Sequence, residues 1–240
     1  MTKKIAIILL GVFIFSCKST QKAANIKTGD GLFQLFVEDE NRNTFYSDKK
    51  GVFGANGMVA SADVMASEVG TEILKKGGNA ADASVATFFA LAVTYPFAGN
   101  LGGGGFAVIR ESNGTNHALD FREKAPLNAH RDMYLDEKGD VIKGKSTSGH
   151  LASGVPGSVA GMVELHQKLG KMSWEKLLQP AIDLAENGVI LTEGRANGMN
   201  RSKKRFQLMN GDDTPYFIHP TKDEWEAGDL FVVQVFLPVK

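Results

Sequence analysis

Two periodicities divide the chain. From Met58 onward, hydrophobic positions recur at helical spacing, and one short stretch in the middle alternates instead. Val64, Ala66, Val69 and Ile73 predict a helix capped by Ser61 or Asp63, carrying Lys75-Lys76 in its last turn and stopped by Gly77-Gly78. A second helix follows at once. Asn79 suits its N-cap, Asp82 its third position near the positive helix end, and Ala80 to Val93 is apolar almost all round, which predicts a buried helix. Tyr95-Pro96 closes it. A third helix is expected from Ser158, with Val159, Met162, Val163, Leu165 and Leu169 as its apolar stripe before Gly170. In a fourth, after Ser173, the inward positions are Trp174, Leu177, Leu178, Ala181, Ile182 and Ala185; Pro180 either kinks it or opens a second segment, and Asn187-Gly188 ends it. Thr192 offers a cap for a further short helix, and the cationic run Arg201 to Arg205 is most simply a solvated face. Before Met58 the signal is weak: a short strand over Gly31 to Val37 and a polar loop over Arg42 to Gly51.

The alternating stretch follows Gly102 to Gly105, four consecutive glycines. Each costs more chain entropy on folding than any other residue, so the run marks a place where backbone or ligand must come closer than a Cβ allows. Phe106 to Arg110 and Thr115 to Phe121 then read as two strands joined through Asn113-Gly114, a strong hairpin signal. Alternation sets Leu119 and Phe121 on one face and Asp120 and Arg122 on the other. Arg122 at the strand end is a candidate for a substrate carboxylate, because its planar fork donates two parallel hydrogen bonds. A structural salt bridge to Asp120, Glu123 or another carboxylate is the alternative, and local sequence leaves both open.

Composition narrows the partners. With 240 residues and 43% hydrophobic content, the chain can build a sizeable core. Lys plus Arg and Asp plus Glu both number 27, so the net charge is zero and nothing steers it to nucleic acid; a small-molecule partner is expected. At the amino terminus, Thr2-Lys3-Lys4 precedes the apolar stretch Ile5 to Phe15, too short to span a bilayer and patterned as an export signal. With Ile14 and Ser16 before Cys17, it resembles a bacterial lipoprotein signal. Residues 1–17 are then a leader ending at a lipidated Cys17, and residues 18–50 a tether with a poorly defined continuation. That implies an exported protein held by lipid on the periplasmic or cell-surface side of a bacterial membrane. Cys17 is the single cysteine, which excludes a disulfide within the chain.

The strings Gly99-Asn100-Leu101-Gly102-Gly103-Gly104-Gly105-Phe106 and Asp120-Phe121-Arg122-Glu123, with Ala125-Pro126, resemble the γ-glutamyltransferase (γ-glutamyltranspeptidase, glutathione hydrolase) family. Gly57 to Ser61, Gly77 to Ala83, Ser153 to Gly161 and Gln179-Pro180-Ala181 stand in that family's order and spacing, so the resemblance covers about Gly54 to Asn200. It implies an α+β fold of the N-terminal nucleophile hydrolase type, an αββα sandwich, of which residues 51–234 would supply the large-subunit portion. It also implies transfer of the γ-glutamyl group of glutathione to amino acids, peptides or water, without a cofactor, with Arg122 holding the α-carboxylate of that group. The family's nucleophile is a threonine exposed by self-cleavage at the start of a small subunit, and this chain matches only the part before it. No catalytic residue is therefore expected within the chain, and a partner carrying the threonine is expected elsewhere. Residues 235–240 diverge from the family, which suggests a truncated or split product, and the chain alone is expected to be inactive. The alternative is a lipid-tethered, non-catalytic binding domain or a gene relic.

Other chemistries find little support. Gly139 to Ser146 satisfies the phosphate-loop expression, but a charged segment precedes it and Gly154-Val155-Pro156-Gly157 prevents a long helix after it. Pro156 stands two before Ser158, so there is no nucleophile elbow. His117, His130, His150, His166 and His219 show no ligand spacing for a metal. His150 near Ser148 and Ser153 is most simply a polar loop.

Overall fold

Paired caps set the first two helices of the computed structural model, which describes residues 54–210 and 218–232. Cys17, the strand expected over Gly31 to Val37, the loop at Arg42 to Gly51 and the tail 235–240 lie outside the described residues. Helix α1 (Val64–Lys75) begins at Asp63, whose Oδ1 accepts from the amides of Met65 at 3.0 Å and Ala66 at 3.3 Å. Ser61 is not the cap; its hydroxyl donates to the Asp63 carbonyl at 2.8 Å. Val64, expected on the apolar stripe, is 72% exposed because it only opens the helix, and Ala66, Gly70 and Ile73 are the buried positions. Helix α2 (Ala80–Thr94) starts with a reciprocal box: Asn79 Oδ1 accepts from the Asp82 amide at 3.0 Å and Asp82 Oδ2 accepts from the Asn79 amide at 2.9 Å. Asp82 is fully buried and also accepts from the amides of Lys171 and Met172, so one side chain both caps α2 and pins the turn between the next two helices. A Cβ on Gly70 would lie 2.2 Å from Thr87 Oγ1, which is why α1 and α2 can approach so closely there.

Helices α3 (Ser158–Leu169) and α4 (Trp174–Asn187) complete a helical layer around α2. Ile73, Val85, Phe89, Met162, Leu165 and Leu177 form its core. Two expected core positions face outward, Val159 at 38% and Ile182 at 43% exposed, because Gly161, Met162 and Leu165 on α3 and Leu177, Ala181 and Ala185 on α4 already fill the buried stripes. Pro180 sits inside α4, which continues through it as one helix; the buried Leu177 and Ala181 on its flanks offset the lost hydrogen bond.

Strands β1 (Phe106–Arg110) and β2 (Asn116–Asp120) pair antiparallel, Ala107 opposite Leu119 and Ile109 opposite His117. The turn is closed by Glu111 N–H to the Thr115 carbonyl at 2.9 Å, with Gly114 at φ +90°. One face, through Ile109, Leu119 and the following Phe121, packs on the helical core, while Phe106 and Val108 on the other are 63% and 87% exposed.

The short helix expected after Thr192 is instead α5 (Glu193–Asn210), 18 residues that take in Arg201 to Arg205. Its intrinsic pattern is weak; contacts stabilise it. Ala196 and Met199 are buried with Val93, Val189, Trp225 and Phe231, and Asn200 clamps the Trp225 backbone, donating from Nδ2 to its carbonyl at 2.9 Å and accepting its amide at 2.8 Å. Strands β3 (Val189–Ile190) and β4 (Leu230–Phe231) pair beside this second core. The described part is thus α+β, a helical layer on one face of a two-stranded sheet with a smaller cluster beyond α4.

Candidate functional site

Helix α3 has Gly157 at its N-cap and no side-chain cap, so its first amides need acceptors from elsewhere. The glycine loop supplies them. The Gly103 carbonyl accepts from the amides of Gly157 at 2.8 Å and Ser158 at 3.2 Å, and the buried Ser158 hydroxyl donates to the Gly102 carbonyl at 2.7 Å. Gly103 itself has φ +72°, a region that favours glycine.

The next glycines answer to the strand that delivers Arg122. Phe121 donates its amide to the Gly105 carbonyl at 3.0 Å, extending the hairpin pairing. A Cβ on Gly104 would meet the Glu123 amide at 2.5 Å and the Phe121 carbonyl at 2.6 Å. Across the ring of Phe121, a Cβ on Gly161 would lie 2.2 Å from Cγ, and one on Gly157 would lie 2.0 Å from the Phe121 carbonyl oxygen. Two separate stretches of sequence, the glycine loop and the start of α3, therefore converge on Phe121, Arg122 and Glu123 without side chains between them. Lys124 and Val155 then exchange backbone hydrogen bonds at 3.1 and 2.8 Å, fixing the exit of the strand.

Arg122 points away from the core. Its side chain is 58% exposed, with Nη2 at 3.6 Å from Glu123 Oε1 and the guanidinium carbon 5.7 Å from the centre of the Phe106 ring. Asp120, the other candidate for a structural salt bridge, instead accepts the Arg122 amide at 3.0 Å. The donors of Arg122 are consequently accessible to a carboxylate arriving from outside. Glu123's own backbone N–H, with Arg122 nearby, holds its carboxyl below the usual carboxylate range.

The other sequence candidates do not assemble. His150 lies exposed in a single 3₁₀ turn (His150–Ala152), and no hydrogen bond joins its ring to Ser148 or Ser153 among the described residues. The phosphate-loop look-alike is a surface turn in which Asp136 Oδ1 accepts the amides of Lys138 and Asp140, both at 2.9 Å. Among the described residues no group of three or more His, Cys, Asp or Glu is placed to hold a metal ion, and no helix is long and apolar enough to cross a membrane.

Sequence reasoning missed the buried pair of Asp63 with Arg195, which joins the start of α1 to the first turn of α5. The two residues belong to segments far apart in the chain, and neither stands in a motif.

A profile described as Gamma-glutamyltranspeptidase matches residues 66–236. A glutathione hydrolase proenzyme of Escherichia coli (strain K12) is 54% identical over 176 residues, covering 73% of this chain and 30% of that protein. A glutathione hydrolase proenzyme of Pseudomonas sp. (strain A14) is 50% identical over 177 residues, covering 74% of this chain and 31% of its own length. The crystal structure of Helicobacter pylori gamma-glutamyltranspeptidase superposes with a TM-score of 0.71 at 46% identity, covering 76% of this chain and 52% of the other. The chain therefore spans about a third of the length of these curated relatives, and its described helices and hairpin form part of the fold of that solved structure.

Proposed function

The chain belongs to the γ-glutamyltranspeptidase family, and from that premise we propose that it supplies the donor-binding side of an enzyme transferring the γ-glutamyl group of glutathione to amino acids, peptides or water. Arg122 anchors the α-carboxylate of the γ-glutamyl group. One observation carries this assignment: its guanidinium stands open at the end of a strand whose backbone is locked by the glycines of two segments, with a 3.6 Å contact to Glu123 as its only carboxylate competitor among the described residues. Hydrogen bonds to a charged group contribute roughly 1.5–3 kcal/mol, enough to fix one end of a small substrate.

The reacting group lies outside these 240 residues. A threonine in a partner segment attacks the γ-glutamyl carbonyl, its own amine taking the hydroxyl proton and passing it to the departing amine, so that a γ-glutamyl ester forms as the amide bond breaks. The open outer face of the hairpin, with Phe106 and Val108 exposed, supports this reading, since a neighbouring segment would bury it. Glutathione or another γ-glutamyl compound is the substrate and no cofactor is used.

The test is a γ-glutamyl anilide assay on this chain alone and after mixing with a threonine-bearing segment of a relative. The chain alone gives no turnover, and the mixture gives turnover that Arg122→Ala lowers at least about tenfold. Turnover by the chain alone, or a mixture indifferent to Arg122→Ala, overturns the proposal.

The membrane tether rests on the amino-terminal sequence. Expressed in a bacterium, the protein partitions with the membrane fraction and Cys17→Ser releases it; an unchanged distribution counts against lipidation.

A further inference from the structure

Beyond α2 the chain forms a cleft of about 590 Å³ between the Tyr95–Phe97 turn and one face of α5. That volume lies within the range of small-molecule sites, roughly 300–1,000 Å³. Its aromatic wall is Tyr95 against Phe97, ring centres 5.1 Å apart and nearly perpendicular at 81°. Opposite, Gly194 and Gly198 bare one stripe of α5; a Cβ on Gly194 would touch nothing within 4 Å, and one on Gly198 would reach only the Phe97 ring, at 3.6 Å.

Most polar groups of the cleft are already committed. Asp63 and Arg195 pair with one another, the Ser202 hydroxyl donates to the Gly198 carbonyl at 3.0 Å, and Thr192 Oγ1 accepts the Arg195 amide at 3.4 Å. Arg201 is different. It lines the same cleft, and no hydrogen bond or ion pair engages it among the described residues. An unengaged guanidinium in a cleft that two rings also line can recognise an anion attached to a flat apolar body. Asp63 and Arg195 neutralise one another, so Arg201 is the uncompensated charge among the residues lining the cleft and matches a single negative charge.

We propose that this cleft binds small aromatic monocarboxylates, the carboxylate on Arg201 and the ring against Tyr95 and Phe97. The carboxylate takes parallel hydrogen bonds from the guanidinium, and the bare stripe of α5 leaves room for the ring.

The experiment is calorimetric titration of the full chain with N-acetylphenylalanine, its carboxamide N-acetylphenylalaninamide, and phenyl phosphate. The acid binds at least about tenfold more tightly than the amide, and Arg201→Gln removes that preference. Gly198→Leu, which raises helix propensity while filling the cleft, abolishes binding of the acid, with far-UV circular dichroism confirming that the helices persist. No binding by the acid, equal binding of acid and amide, tighter binding of phenyl phosphate, or unaltered binding by either variant would overturn the assignment.

Discussion

One oxygen of the Asp63 carboxylate caps α1 while the other pairs with Arg195, and both side chains are nearly out of water, at 8% and 12% exposure. Asp63→Asn keeps an oxygen for the cap but leaves a buried guanidinium without its counter-charge. Urea denaturation should show a loss of about 3 kcal/mol, with much of it recovered in the double variant Asp63→Asn, Arg195→Met. Additive single effects would mean that the pair is not the coupling element. Thr94 presents the reverse case: its hydroxyl is buried with no hydrogen-bond partner among the described residues. Replacing it by valine, of similar shape, should raise stability by about 1 kcal/mol in the same assay, and a loss of stability would mean that the hydroxyl is satisfied after all. The starts of α1 and α2 were readable, as a cap at Ser61 or Asp63 and a cap at Asn79 with Asp82 at the third position, because a cap depends on residues within four positions of one another. The Asp63–Arg195 pair was not, because it depends on where two remote segments meet.

Among the elements, the strand that delivers Arg122 is positioned by absence of side chains. Gly161→Ala would drive a methyl group into the Phe121 ring, so we expect a loss of about 2 kcal/mol and a displaced strand end. Calorimetric melting reads the first and titration with glutathione the second; an unchanged melting temperature would contradict the packing. The segment from Ile218 to Val232 makes a pH prediction. A hydrogen bond from Lys222, then one from the Glu226 amide, holds the Asp229 carboxyl below its usual range. Its stabilising contribution is complete above the ordinary aspartate pKa, about 3.9, and disappears as pH falls through the lowered folded-state value. Asp229→Asn should therefore flatten the acid limb of a stability–pH profile, and a profile of unchanged slope would contradict the assignment. Periodicity gave α1 to α4 and the hairpin closely, since their patterns are local. It undersized α5, whose buried Ala196 and Met199 and Asn200 clamp are tertiary, and it overfilled the stripes with Val159 and Ile182 because a period does not say how wide the facing neighbour is.

At the scale of the whole molecule, family membership was carried by short strings, while the reason for their spelling needed coordinates. Gly102 and Gly103 offer carbonyls to an uncapped helix, Gly104 and Gly157 admit the backbone of the Arg122 strand, and Gly161 admits the Phe121 ring. Sequence left Arg122 divided between an internal salt bridge and a ligand; its exposure and loose contact with Glu123 leave the guanidinium accessible, as the proposed ligand role requires. The most direct measurement is titration of the full chain and of Arg122→Ala with glutathione, and with glutathione whose γ-glutamyl α-carboxyl is converted to the amide. The account predicts that the native chain favours the acid by about tenfold and that Arg122→Ala loses this preference. Equal binding of acid and amide by the native chain, or a preference that survives in Arg122→Ala, would contradict it.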